Sequence, residues 1–119
     1  MSIIRIKDLS LRTFIGFKPH EKKYKQDILV NIEIEVDSRK SEKSDSFKER
    51  DFFDYRNLSK SLIQLIEESK YDLLEALVRR VLDEIMLNNL VKRATVEIEK
   101  PNALRYSKSV SIEISQERI

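Results

Sequence analysis

Lys100 is the residue whose chemistry fits its surroundings least. It closes the alternating run Ala94, Val96, Ile98, Lys100, so a cation shares the face that otherwise carries apolar side chains. Pro101 lacks an N–H and pins φ, so the strand is expected to stop or turn there and hold the amine at a sheet corner. Lysines in such places more often lay their stem over apolar surface and keep the ammonium in water. Tyr55 opens a helical segment where a phenol can give or take a proton, or simply pack. Glu75 follows Asp72 at the spacing of a capping box. If it faces outward instead, it joins the free N–H groups of a helix start in a donor and acceptor edge suited to a flat heterocycle with amide and amine groups. Glu21 stands among Lys18, Lys22, Lys23 and Lys25, where a solvated ion pair is the ordinary reading. His20, the only histidine, follows Pro19 without an orienting partner and is assigned no catalytic role.

The composition narrows the field further. The chain of 119 residues suits one domain, 1–119, and its 23 Lys plus Arg against 21 Asp plus Glu give a formal charge of +2. The two signs are interspersed, which argues against a dedicated nucleic-acid or membrane surface. With no cysteine and one histidine, the chain lacks the usual zinc ligand sets and a thiolate nucleophile, so no metal is expected. Gly16 is the only glycine, which rules out a Gly-rich phosphate cradle. No apolar run approaches the roughly 18 residues of a membrane span, and a cytoplasmic protein is expected.

These residues need elements to position them. Ile3 to Leu11 is strand-like with partial alternation at Ile4, Ile6 and Leu9, and Gly16 to Lys25 reads as a charged turn or loop. Gln26 to Asp37 alternates strictly through Ile28, Val30, Ile32, Ile34 and Val36. Ser38 to Arg50 is a polar surface connection. A helix is expected over roughly Tyr55 to Ser69 with Asp54 as N-cap, then a break at Lys70-Tyr71. A second, antiparallel helix follows, with its stripe at Leu74, Leu77, Val78, Val81, Leu82 and Ile85. The Lys100 strand and a last strand through Val110, Ile112 and Ile114 close the chain. The order ββααββ predicts an α+β fold, a four-stranded antiparallel sheet with two helices on one face. Its open edges and polar second face suggest closure into an oligomeric barrel.

The Gly16 loop with Glu21, Tyr55 at a helix start, the Leu74-Glu75 pair and the Lys100-Pro101 strand end, in this order, resemble the dihydroneopterin aldolase and epimerase family over nearly the whole chain. Leu11-Arg12-Thr13-Phe14-Ile15-Gly16 and Lys100-Pro101-Asn102-Ala103-Leu104-Arg105-Tyr106, followed by Ser109-Val110-Ser111, look most like its dihydroneopterin triphosphate 2′-epimerase branch. The resemblance implies the tunnelling fold, with four subunits ringed into a barrel, two rings stacked into a homo-octamer, and sites between neighbours. It implies Glu75, beside the Leu74 backbone, as the pterin anchor, Glu21 as a substrate contact, Tyr55 as a residue supplied by the neighbouring subunit, and Lys100 as the catalytic amine. Arg105, Lys18 and Arg12 are the candidates for phosphate. Pro19-His20 and Ser38 to Arg50 depart from the family's pattern.

The implied chemistry needs no cofactor. Dihydroneopterin carries a C=N bond at N5 that accepts electrons when the C1′–C2′ bond of its side chain breaks. Rotation and re-addition of the aldehyde invert C2′, whereas its departure completes an aldol cleavage. The expected function is thus 2′-epimerisation of 7,8-dihydroneopterin triphosphate. The alternatives are the aldolase of folate synthesis and, in another class, a non-catalytic oligomeric binding module.

Overall fold

The computed structural model describes residues 1–48 and 51–119. Its elements run β1 (Ser2–Ile15), α1 (Pro19–Lys23), β2 (Gln26–Val36), α2 (Arg39–Lys43), α3 (Tyr55–Glu67), β3 (Lys70–Tyr71), α4 (Leu74–Met86), β4 (Val91–Pro101) and β5 (Ser109–Glu117). The sheet has five strands in the order β3-β1-β2-β4-β5. Four of them form the expected antiparallel sheet. The fifth corrects the expectation: Lys70-Tyr71, read as a break between helices, pairs in parallel with Phe14 and Ile15, so the sheet is mixed. Two residues are too short for any alternation to register. Gly16 to Lys25 likewise contains the one-turn helix α1, started by Pro19, and the polar connection contains α2. The last two residues of that connection, Glu49 and Arg50, lie outside the described residues.

The partial alternation of β1 has a structural cause. Ile6 pairs with Ile32 but Leu9, not Asp8, pairs with Val30, so the strand carries one extra residue. Asp8 takes φ 53 there, and its N–H donates to Asn31 Oδ1 at 2.8 Å. The bulge changes the apolar positions from even to odd numbers, so Ile4 and Ile6 pack on the same core as Leu11 and Ile15. A second irregularity on β4, where Val91 pairs with Val36 and Arg93 with Glu35, shifts phase between Val91 and Ala94.

Both long helices cover one sheet face, as their apolar stripes require. Asp54 caps α3 by accepting from the Asn57 N–H at 3.0 Å, and Leu62 and Ile66 are fully buried. The helix ends at Glu67, two residues before the expected Ser69. There the buried hydroxyl of Thr13 donates to the Ile66 carbonyl at 2.7 Å, tying the last turn of α3 to β1. Leu77, Val78, Val81, Leu82 and Ile85 of α4 meet Val96 and Ile98 of β4 in the core. Among the described residues, no helix is long and apolar enough to cross a membrane.

The candidate active site

Lys100 and Glu21 meet at the end of β4. The ammonium donates to Glu21 Oε2 at 2.5 Å, and each side chain is 16% exposed. Glu21 therefore does not form the solvated pair with a neighbouring lysine that its surroundings suggested. Its carboxylate also accepts from the Lys18 backbone N–H at 3.4 Å, a contact fixed by the start of α1. Burial pushes the Glu21 carboxyl up, but the hydrogen bond and charge of Lys100, with the Lys18 contacts, outweigh it and hold the group below its ordinary value. Asn102, just past Pro101, takes φ 60 and turns the chain after the strand, as the Lys100-Pro101 pair predicted.

Gly16 makes this arrangement fit. Its φ is +121, and a Cβ there would lie 2.2 to 2.4 Å from the Glu21 carboxyl atoms. The Gly16 N–H donates to the Tyr71 carbonyl at 3.0 Å, which fixes β3 beside the turn. An open cleft of about 210 Å³ results, lined by Phe14, Gly16, Glu21, Lys22, Lys70, Tyr71 and Asp72.

The cleft extends to Asp72, one residue before the N-cap of α4, and the capping box expected there does not form. Leu74 turns into the core, so Leu73 becomes the N-cap, and its side chain accepts no hydrogen bond. The Asp72 carboxylate instead takes the Lys22 ammonium at 2.7 Å across the cleft rim. Glu75 is left exposed in the first turn of α4, beside amides without a side-chain cap.

The other candidates are dispersed. Tyr55 is 58% exposed at the first position of α3 and does not line the cleft. Arg12 is engaged by Asp27 at 3.0 Å and by the Lys25 carbonyl at 3.1 Å. Arg105 lies against the Tyr106 ring in the exposed β4–β5 loop. The Lys18 side chain is also absent from the cleft wall. The features that sequence reasoning missed are Gly16 as the seat of a carboxylate and Lys22–Asp72 as a clamp. That the chain's only glycine precedes Glu21 by five positions is the signal that could have found the first.

With this geometry in view, the comparisons with known proteins are direct. The family model described as dihydroneopterin aldolase (FolB) matches residues 4–115. The chain belongs to the dihydroneopterin aldolase family, a family of enzymes. It is 43% identical over 117 residues to the dihydroneopterin triphosphate 2′-epimerase of Escherichia coli strain K12, covering 98% of this chain and 96% of that protein. It is 40% identical over 118 residues to the protein of the same name from Pseudomonas aeruginosa, covering 99% and 94%. Among solved structures, that of the E. coli dihydroneopterin aldolase in complex with neopterin superposes with a TM-score of 0.89 at 25% identity, covering 98% of this chain and 99% of that one.

Proposed function

We propose that this protein epimerises 7,8-dihydroneopterin triphosphate at C2′ by retro-aldol cleavage and re-addition. The observation that carries the reading is the amine and carboxylate of Lys100 and Glu21, held at 2.5 Å beside a cleft that extends to Asp72. Its substrate class is supported by the epimerase relatives at 40% and 43% identity.

In this reading the Glu75 carboxylate and the backbone of Leu74 at the start of α4 hold the amide and amine edge of the pterin. The amine of Lys100, in its uncharged form and through water, takes the proton of the 2′-hydroxyl and returns it to the C2′ oxygen after re-addition. The C1′–C2′ bond breaks, its electrons pass into the ring C=N, and N5 gains a proton. The aldehyde turns over, N5 gives its proton back, and C1′ attacks the other face of the carbonyl. Glu21 fixes the position of Lys100, and Tyr55, from the neighbouring subunit, passes protons at the carbon fragment. Neither a metal nor a Schiff base is called for, because the ring is the electron sink.

The same intermediate yields an aldolase if the aldehyde leaves and C1′ is protonated. The likeness to the neopterin-bound aldolase structure supports this as a second outcome of one site. The reading further takes the protein as a cytoplasmic homo-octamer of two stacked tetramers. The outer edge of β1 from Ser2 to Thr13, unpaired among the described residues, supports this closure.

The test is to incubate the protein separately with dihydroneopterin and its triphosphate, and to resolve C2′ epimers and aldehyde release. Dominant epimer from the triphosphate is expected. Dominant glycolaldehyde from the unphosphorylated compound would make the aldolase reading primary, and turnover of neither would leave a binding module. Lys100→Ala should lower kcat by at least about 100-fold with assembly intact.

A further inference from the structure

Several cations around the cleft are held by carboxylates. Lys100 is held by Glu21, Lys22 by Asp72 and Arg12 by Asp27, so each is largely neutralised by a carboxylate. Lys25 and Lys70 are held differently. Their ammonium groups lie 5.8 and 5.3 Å from the centroid of the Phe14 ring, and neither has a carboxylate partner among the described ion pairs. The sheet order explains this. β3 places Lys70 opposite Phe14 on one side of β1, while Lys25 enters β2 on the other, next to the Gln26–Thr13 pair. An aromatic ring positions a cation without cancelling its charge. Phe14 and Lys70 line the same cleft as Glu21.

We propose that Lys25 and Lys70, bracketing Phe14, form the subsite that takes the polyphosphate tail of the substrate. This rests on the proposed epimerase reading and gives its phosphate specificity a location other than Arg12, Lys18 and Arg105. Two uncompensated ammonium groups about one ring can each donate to a different phosphate of a three-phosphate chain, whereas the carboxylate-bound cations would first have to break a pair. Phe14 keeps the lysine stems apart and gives them an apolar wall to lie on.

The probe is inorganic tripolyphosphate, titrated calorimetrically into the wild-type protein and into Lys25→Gln/Lys70→Gln at matched ionic strength. Affinity is expected to fall at least about tenfold in the double variant, to weaken with added salt, and to return in Lys25→Arg/Lys70→Arg. Thermal unfolding of each variant confirms that the fold is kept. In turnover, KM for the triphosphate should rise at least about tenfold more than KM for unphosphorylated dihydroneopterin. Equal loss with both substrates, equal tripolyphosphate affinity in both proteins, or no binding by the wild type would overturn the subsite. Failure of the wild type to turn over either pterin would instead remove the epimerase reading, and the calorimetric comparison would still decide whether these lysines bind polyphosphate.

Discussion

Gly16 carries two constraints at one Cα, a positive φ and a carboxylate pressed against the place where a Cβ would be. Gly16→Ala is therefore expected to destabilise the protein by about 1 to 3 kcal/mol and to lower kcat/KM by displacing Glu21 from Lys100. The two effects separate in a double-mutant cycle. In a Glu21→Ala background the steric part should vanish and only the backbone cost persist, whereas additive losses in kcat/KM would show that Gly16 does not act through Glu21. Glu21 also makes an acid-side prediction. Its carboxyl titrates below its ordinary value of 4.5 in the folded protein, so the pair's contribution is complete above that pH and is lost as the pH falls through the depressed value. The urea midpoint should fall as the pH drops below 4.5, less steeply for Glu21→Gln; equal slopes would remove Glu21 from the acid limb. Lys100 was legible in the sequence because a lysine on an apolar face breaks a pattern. Its union with Glu21 was not, since no local rule pairs residues 79 positions apart.

At the scale of elements, the Thr13 hydroxyl joins the last turn of α3 to β1 and so fixes where the chain emerges into β3 and the cleft. Thr13→Val, close in shape, should cost about 1 kcal/mol by urea denaturation, because the buried Ile66 carbonyl loses a donor. An unchanged midpoint would mean that Ser69, whose hydroxyl also lies 2.7 Å from that carbonyl, suffices alone. Periodicity revealed both long helices and four strands because each buries one face over many residues. It missed β3, α1 and α2, whose lengths of two and five residues fall below any repeat. The start of α4 was ambiguous for another reason. Two N-caps compete there, and burial of Leu74 decided for the one without a capping side chain.

For the whole molecule, the radius of gyration is 15.8 Å, above the ~13.5 Å expected of a compact chain of this length, and the extents are 51 × 23 × 23 Å. A sheet this elongated leaves long open edges at β1 and β5, and the predicted assembly uses them. If Tyr55 completes a site built around the neighbour's Lys100, separately inactive Lys100→Ala and Tyr55→Phe proteins should regain activity when unfolded and refolded together. Random mixing gives roughly a quarter of the wild-type level, while a site within one subunit would regain none. A polar sheet face and unpaired edges are visible in the sequence as alternation. Their closing geometry is not, because it is a relation between copies.

The extra residue at Asp8 makes β1 two half-strands of opposite parity spliced by one position. Parity is a property of counting rather than of side-chain chemistry. Deleting Asp8 would join Ile4, Ile6, Leu9 and Leu11 in one unbroken alternation, whereas a strand that kept Asp8 without the bulge would send Arg5 and Lys7 toward the helices and Ile4 and Ile6 away from them. No substitution changes that count; only an insertion or a deletion does. At this point in the chain, the spacing of residues is inherited information as binding as their identity.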